Sequence, residues 1–138
     1  HMTDIVASNI YMKDVICPIS INMYYRCGSD DPSLFSLMPS PVTEDTPVIK
    51  DVLIENVHAE GCRNSAGFIA GLPESELQNV VFRDCSFTLT DKIEENTEPE
   101  MCQGIPESPY RGIRVINADA TFENVKVNVE PAVMFEKF

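Results

Sequence analysis

Four segments of the chain can be laid over one another: Asn9-Ile10-Tyr11-Met12-Lys13-Asp14-Val15, Asp51-Val52-Leu53-Ile54-Glu55-Asn56-Val57, Asn79-Val80-Val81-Phe82-Arg83-Asp84-Cys85 and Asp119-Ala120-Thr121-Phe122-Glu123-Asn124-Val125. Each reads Asn or Asp, apolar, any residue, apolar, charged, Asn or Asp, apolar. A unit this short cannot hide its own apolar residues. Repetition at this scale therefore calls for neighbours stacked above and below, as in a solenoid.

Inside each unit the apolar residues alternate, which is the period of a strand. The closing Asn or Asp breaks the alternation. These two residue types tolerate the left-handed backbone region, so Asp14, Asn56, Asp84 and Asn124 are the expected corners, each ending a short strand in a sharp turn. Ile10, Met12, Val15, Val52, Ile54, Val57, Val80, Phe82, Cys85, Phe122 and Val125 are then expected to point into one apolar column, with Met12, Ile54, Phe82 and Phe122 on neighbouring levels.

Further strand-like sequence follows each unit at 19–25, 66–70, 86–90 and 132–138, with 112–116 preceding the last. Several strands per repeat indicate a β-helix rather than a leucine-rich or helical repeat. Stretches rich in Pro, Ser and acids at 28–47 and 91–109 read as loops inserted between strands. With 138 residues, 43% of them apolar, the chain suits a single domain over 3–138. Residues 1–2 read as a tag residue or a start Met, and no signal peptide is visible, which leaves the localisation open.

The net charge of −12 argues against nucleic acid or an anionic membrane as partner. No apolar run is long enough to cross a bilayer as a helix. The five cysteines, Cys17, Cys27, Cys62, Cys85 and Cys102, form no CxxC pair and have no His at metal-ligand spacing. No metal or cofactor is expected; buried thiols are the simplest reading, and one disulfide stays open.

Three stretches resemble the C-terminal part of glycoside hydrolase family 28, the polygalacturonases and related pectin hydrolases, and most of all its bacterial members. They are Ser8-Asn9-Ile10-Tyr11-Met12-Lys13-Asp14-Val15-Ile16 running into Ile21-Asn22-Met23-Tyr24-Tyr25, Ala59-Glu60-Gly61-Cys62-Arg63-Asn64-Ser65-Ala66 running through Gly71-Leu72-Pro73, and Met101-Cys102-Gln103-Gly104. The resemblance implies a right-handed parallel β-helix, here of about four coils, and inverting hydrolysis of galacturonan. Inversion needs one carboxylic acid at the leaving oxygen and one carboxylate to activate water.

The family's Asn-Thr-Asp, Asp-Asp, Gly-His-Gly and Arg-Ile-Lys motifs are absent from this chain. Asn96-Thr97-Glu98 and Asp30-Asp31 imitate two of them but lie in loop sequence, and Arg114 is followed by Val115-Ile116. Glycoside hydrolysis by this chain alone is therefore not expected. It reads as a fragment or truncated relative of such an enzyme, or as a stand-alone β-helix that binds carbohydrate or assembles. Tyr24 or Tyr25 corresponds to an aromatic residue that lines the sugar site in the family. Arg26 and Arg63 with Asn64 are the candidates to meet a uronate of polygalacturonate or a related oligosaccharide, beside Arg111. His58 follows a corner and is expected at the surface.

A solenoid end exposes unpaired backbone and apolar core unless something covers it. The coil beginning near Ile5 has no preceding polar cap in this sequence, so a homo-oligomer closed through that coil, most simply a dimer, is expected.

Overall fold

The computed structural model describes residues 1–24, 37–91, 102 and 104–138. Among these, eight strands and no helix make an all-β structure: β1 (Met2–Lys13), β2 (Ser20–Asn22), β3 (Ile49–Cys62), β4 (Gly67–Ala70), β5 (Leu77–Leu89), β6 (Ile113–Ile116), β7 (Ala118–Val127) and β8 (Val133–Glu136). The strands form two four-stranded sheets, β1-β3-β5-β7 and β2-β4-β6-β8, and every pairing is parallel. The chain visits the two sheets alternately, so each long strand is followed by a short one in the other sheet.

The long strands carry their own bends. Asp4, Asn9, Asp14, Asp51, Asn56, Asn79, Asp84 and Asn124 all have φ between 51° and 58°. Such residues lie five apart within a strand, which would reverse the facing of side chains in a regular ladder. The left-handed residue resets it, so the first and third residues after each bend point inward. Val52, Ile54, Val57 and Ala59 of β3 are accordingly buried, as are Val80, Phe82, Cys85 and Phe87 of β5. All four expected corners are therefore left-handed. Asp14 follows the end of β1 at Lys13, as expected, whereas Asn56, Asp84 and Asn124 do not end their strands, because hydrogen bonding to the neighbouring strands runs on past them.

The register corrects the first repeat. Ser8 pairs with Glu55 and Ile10 with Val57, which brings Asn9 level with Asn56 rather than with Asp51. The stacking unit of β1 is thus Asp4-Ile5-Val6-Ala7-Ser8-Asn9-Ile10. This frame lays Ile5 and Ala7 on Val52 and Ile54; the frame beginning at Asn9 would leave both off the end of the sheet. Side chains stitch the levels together. Asn56 Nδ2 donates to Asn9 Oδ1 at 2.8 Å, Asn79 Nδ2 to Asp51 Oδ1 at 2.9 Å and Asn124 Nδ2 to Asp84 Oδ1 at 2.9 Å, across separations of 47, 28 and 40 residues.

Of the residues expected in one apolar column, all but the exposed Ile10 join one core. The register sorts the inward side chains into four rows: Ile5, Val52, Val80 and Ala120; Ala7, Ile54, Phe82 and Phe122; Ile10, Val57, Cys85 and Val125; and Met12, Ala59, Phe87 and Val127. Met12 stands on Ala59, so it does not stack with Ile54 as expected. Segment 86–90 is also no separate strand. It continues β5 to Leu89, and the strand of the second sheet at this level is β6, within the strand-like stretch 112–116.

At the end of β3 the backbone turns at Gly61 (φ 68°), where a Cβ would stand 2.7 Å from Asp14 Oδ1. Asn128 finishes the ladder by side-chain mimicry, its Oδ1 accepting from Leu89 N–H at 2.7 Å and its Nδ2 donating to Leu89 O at 3.1 Å. The two central strands of the short sheet, β4 and β6, are buried on both faces. Their inward residues Ile69, Ile113 and Val115 join the main core, while Phe68, Ala70 and Ile116 meet Tyr24, Leu37 and Ile105 in a second apolar cluster.

Candidate functional site

The outward face of the long sheet is left open, and its side chains fall into rows that cross the strands. Register pairs join Tyr11 to His58, His58 to Ser86 and Ser86 to Lys126, placing a phenol, an imidazole, a hydroxyl and an ammonium group in one row. Alongside runs the ladder of Asn9, Asn56, Asp84 and Asn124. Beyond the bend lie Ser8, Glu55, Arg83 and Glu123, again in register.

The centre of the row is fixed by hydrogen bonds. His58 Nε2 lies 2.9 Å from Asn56 Oδ1, and His58 Nδ1 lies 2.6 Å from Ser86 Oγ. An amide oxygen only accepts, so Nε2 carries the hydrogen and Nδ1 is left to accept from the serine hydroxyl. A depression of about 290 Å³ opens here between His58, Asp84, Ser86, Asn124 and Lys126.

Tyr11 stands at one end of the row, 64% exposed. A hydrogen bond to the Glu60 carboxylate raises its pKa, so the phenol keeps its proton and the ring is an uncharged platform. Arg83 donates from Nε to Glu123 Oε2 at 2.8 Å and from Nη1 to Glu55 Oε2 at 3.3 Å, and these hydrogen bonds raise its pKa further, the first more than the second. Its charge is spent on two carboxylates.

The residues singled out by sequence lie elsewhere. Tyr24 is 1% exposed inside the second apolar cluster, and burial, then Glu74 and Cys102, push its phenol up to about 12. Its ring has no face left for a sugar, which corrects the role expected of it. Asn64 is buried too, and its N–H donates to Ile16 O at 3.0 Å. The neighbouring Arg63 N–H donates to Val15 O at 2.9 Å, and Arg63 O accepts from Arg111 Nη2 at 2.7 Å. Positions 63–64 thus form a joint between chain segments. Tyr25, Arg26, Asp30-Asp31, Asn96-Thr97-Glu98 and Cys27 lie outside the described residues.

Cys62 and Cys85 are buried thiols, and burial lifts the Cys62 pKa to about 11, which makes it a poor nucleophile at neutral pH. Among the described residues no group of three or more His, Cys, Asp or Glu is placed to hold a metal ion. His58 is on the surface, as expected, but with both ring nitrogens engaged. Tyr11, Ser86 and Lys126 were missed by the sequence reading. Their signal is positional, since each stands two residues after an Asn or Asp of one ladder, and it is visible only once β1 is framed from Asp4.

Comparison with protein-family models, with curated proteins and with solved structures finds no match for this chain.

Proposed function

We propose that the chain is a right-handed parallel β-helix related to the pectin hydrolases, which binds a pectic oligosaccharide, polygalacturonate or a related chain, on the open face of its long sheet and does not itself cleave it. The helical reading is supported by two parallel sheets visited alternately, and right-handed crossovers between parallel strands are the rule. The functional reading rests on one observation, the row Tyr11, His58, Ser86 and Lys126 beside a ladder of three amides and the Asp84 carboxylate. An exposed ring to stack on a sugar, fixed amides and hydroxyls for its hydroxyl groups, and a cation for a uronate are what such a ligand requires.

The test is a titration with oligogalacturonate, following the fluorescence of the four tyrosines, in which the share of Tyr11 is assigned by its loss in Tyr11→Phe, and His58 by NMR. Saturable shifts at both are expected. Tyr11→Ala should weaken binding roughly two- to tenfold, the worth of one aromatic contact, with no reducing-sugar release above a heat-treated control. A titration that leaves His58 unmoved, or is indifferent to Tyr11→Ala, refutes the reading.

A second reading, assembly, is favoured by the edge position of β1, which among the described residues pairs with β3 alone. There an apolar depression of about 550 Å³ is lined by Ile5, Ala7, Ile10, Met12, Ile19 and Ile21. The occupant proposed is a second copy related by a two-fold axis. Antiparallel pairing of β1 with itself sets Ile5 against Met12, Ala7 against Ile10 and Asp4 against Lys13, so that apolar residues meet apolar ones and acid meets base. Light scattering should show a dimer that Ile10→Lys converts to monomer; a parent chain that is monomeric at tens of micromolar, on the order of a weak interface, sinks it.

A further inference from the structure

The hydrogen bonds of the outward row run in one direction. Asn9 Oδ1 accepts from Asn56 Nδ2, Asn56 Oδ1 accepts from His58 Nε2, and His58 Nδ1 faces the Ser86 hydroxyl at 2.6 Å. A hydroxyl held at this distance from the lone pair of an imidazole, whose other nitrogen is fixed by a third group, has the relations that activate a serine: nucleophile to base and base to orienting group. Ser86 opens onto the depression rather than into the core. Its register partner on β7 is Lys126, and both line the depression together with the Asp84 carboxylate.

We propose that Ser86 is a nucleophile toward carboxylic esters, with His58 as its general base and Asn56 as the residue that positions His58. In the first step Ser86 Oγ forms a bond to the ester carbonyl carbon while its proton passes to His58 Nδ1. The alcohol then leaves, its C–O bond breaking as it takes that proton back. Water then attacks the acyl carbon as it gives a proton to the same nitrogen, and the bond from that carbon to Ser86 Oγ breaks as Oγ takes the proton from His58, which releases the carboxylic acid and restores the serine. No oxidant, metal or further reactant enters. The step does not depend on sugar binding: a small activated ester suffices to test it, and either reading survives failure of the other.

The experiment treats the full chain with p-nitrophenyl acetate, follows release of nitrophenolate and locates the acetyl group by peptide mass spectrometry. A burst with acetylation at Ser86 is expected, and both are absent in Ser86→Ala. Thr88, exposed on the same strand two residues on, stays unmodified as the internal control. His58→Gln keeps a polar side chain at the site but removes the base, and should slow labelling by about a hundredfold or more, the usual worth of a general base. Asn56→Asp retains the acceptor for Nε2 and should label at least as fast as the parent. Acetylation confined to lysines, tyrosines or the N-terminus overturns the proposal. So does labelling of Ser86 at an unchanged rate in folded His58→Gln.

Discussion

Phe82→Ala is expected to lower the unfolding free energy by about 3–5 kcal/mol, a large share of the roughly 5–15 kcal/mol that holds a typical domain together. Phe82 is fully buried, and its ring lies 4.9 Å from that of Phe122 and 6.4 Å, edge-on, from that of Phe87. Below it stands Ile54, its register partner. The strands on either side are locked by their backbone ladders, so the space cannot collapse, and the loss combines transfer and cavity contributions. The measurement is the urea midpoint at constant slope. Phe122→Ala, made at the half-buried last level of the same column, should cost visibly less. If Phe82→Ala costs under about 1 kcal/mol, against the range for a buried aromatic, the column is not the centre of the core. Should that variant fail to fold, Phe82→Leu keeps the comparison measurable, because it removes less volume.

Glu136→Ala should cost about 3 kcal/mol, the lower end for breaking a buried ion pair. Its partner Arg114 stands on β6, where every neighbour in the strand is buried, and is itself 5% exposed. Nε donates to Glu136 Oε1 and Nη2 to Oε2, both at 2.9 Å, while Nη1 donates to Pro106 O at 2.9 Å. One guanidinium therefore ties β6 to β8 and to the segment that covers the short sheet. Removing the carboxylate takes two charge-assisted hydrogen bonds and the charge of Glu136 from a guanidinium that is 5% exposed. The side chain of Glu136 is 24% exposed, and water reaching that side keeps the cost from the top of the range. Replacing both partners, as in Arg114→Leu with Glu136→Leu, removes the buried charge altogether and should recover most of the loss. Thermal and urea unfolding of the two variants decide it. A single variant as stable as the parent would show that the pair is not what holds the two strands.

Arg114 also shows where sequence reading stops. In the chain it is a cation next to Val115-Ile116, a failed match to a uronate-binding motif, and nothing local says that it lies inside the protein. Its burial follows from the segments around Tyr24, Leu37 and Ile105, which close over the outer face of the short sheet. Those same segments remove Tyr24 from solvent. Local sequence gives an amphipathic tyrosine no preference between the two fates, since its ring suits a core and its hydroxyl suits water.

The frame of β1 escapes sequence reading for a related reason. Asp4, Asn9 and Asp14 are all left-handed and evenly spaced, so two frames of the strand share the same corners and apolar places, and Ser8, standing where the other units carry a charge, favours the wrong one. The choice between them falls to the partner strand, because only one frame places both Ile5 and Ala7 on the apolar residues of β3. The row Tyr11, His58, Ser86 and Lys126 depends on that choice.

By itself the sequence determined the all-β class, the left-handed corners and the inward apolar residues of the long strands. These follow from backbone sterics that only Asn, Asp and Gly escape, and from a two-residue period that every unit repeats. Tertiary structure alone decided which level stands on which, and so which outward side chains meet. Outward positions obey no apolar rule, and the residues brought together are separated by tens of positions in the chain. Their association is set by backbone register, and register is fixed by the core on the other side of the sheet.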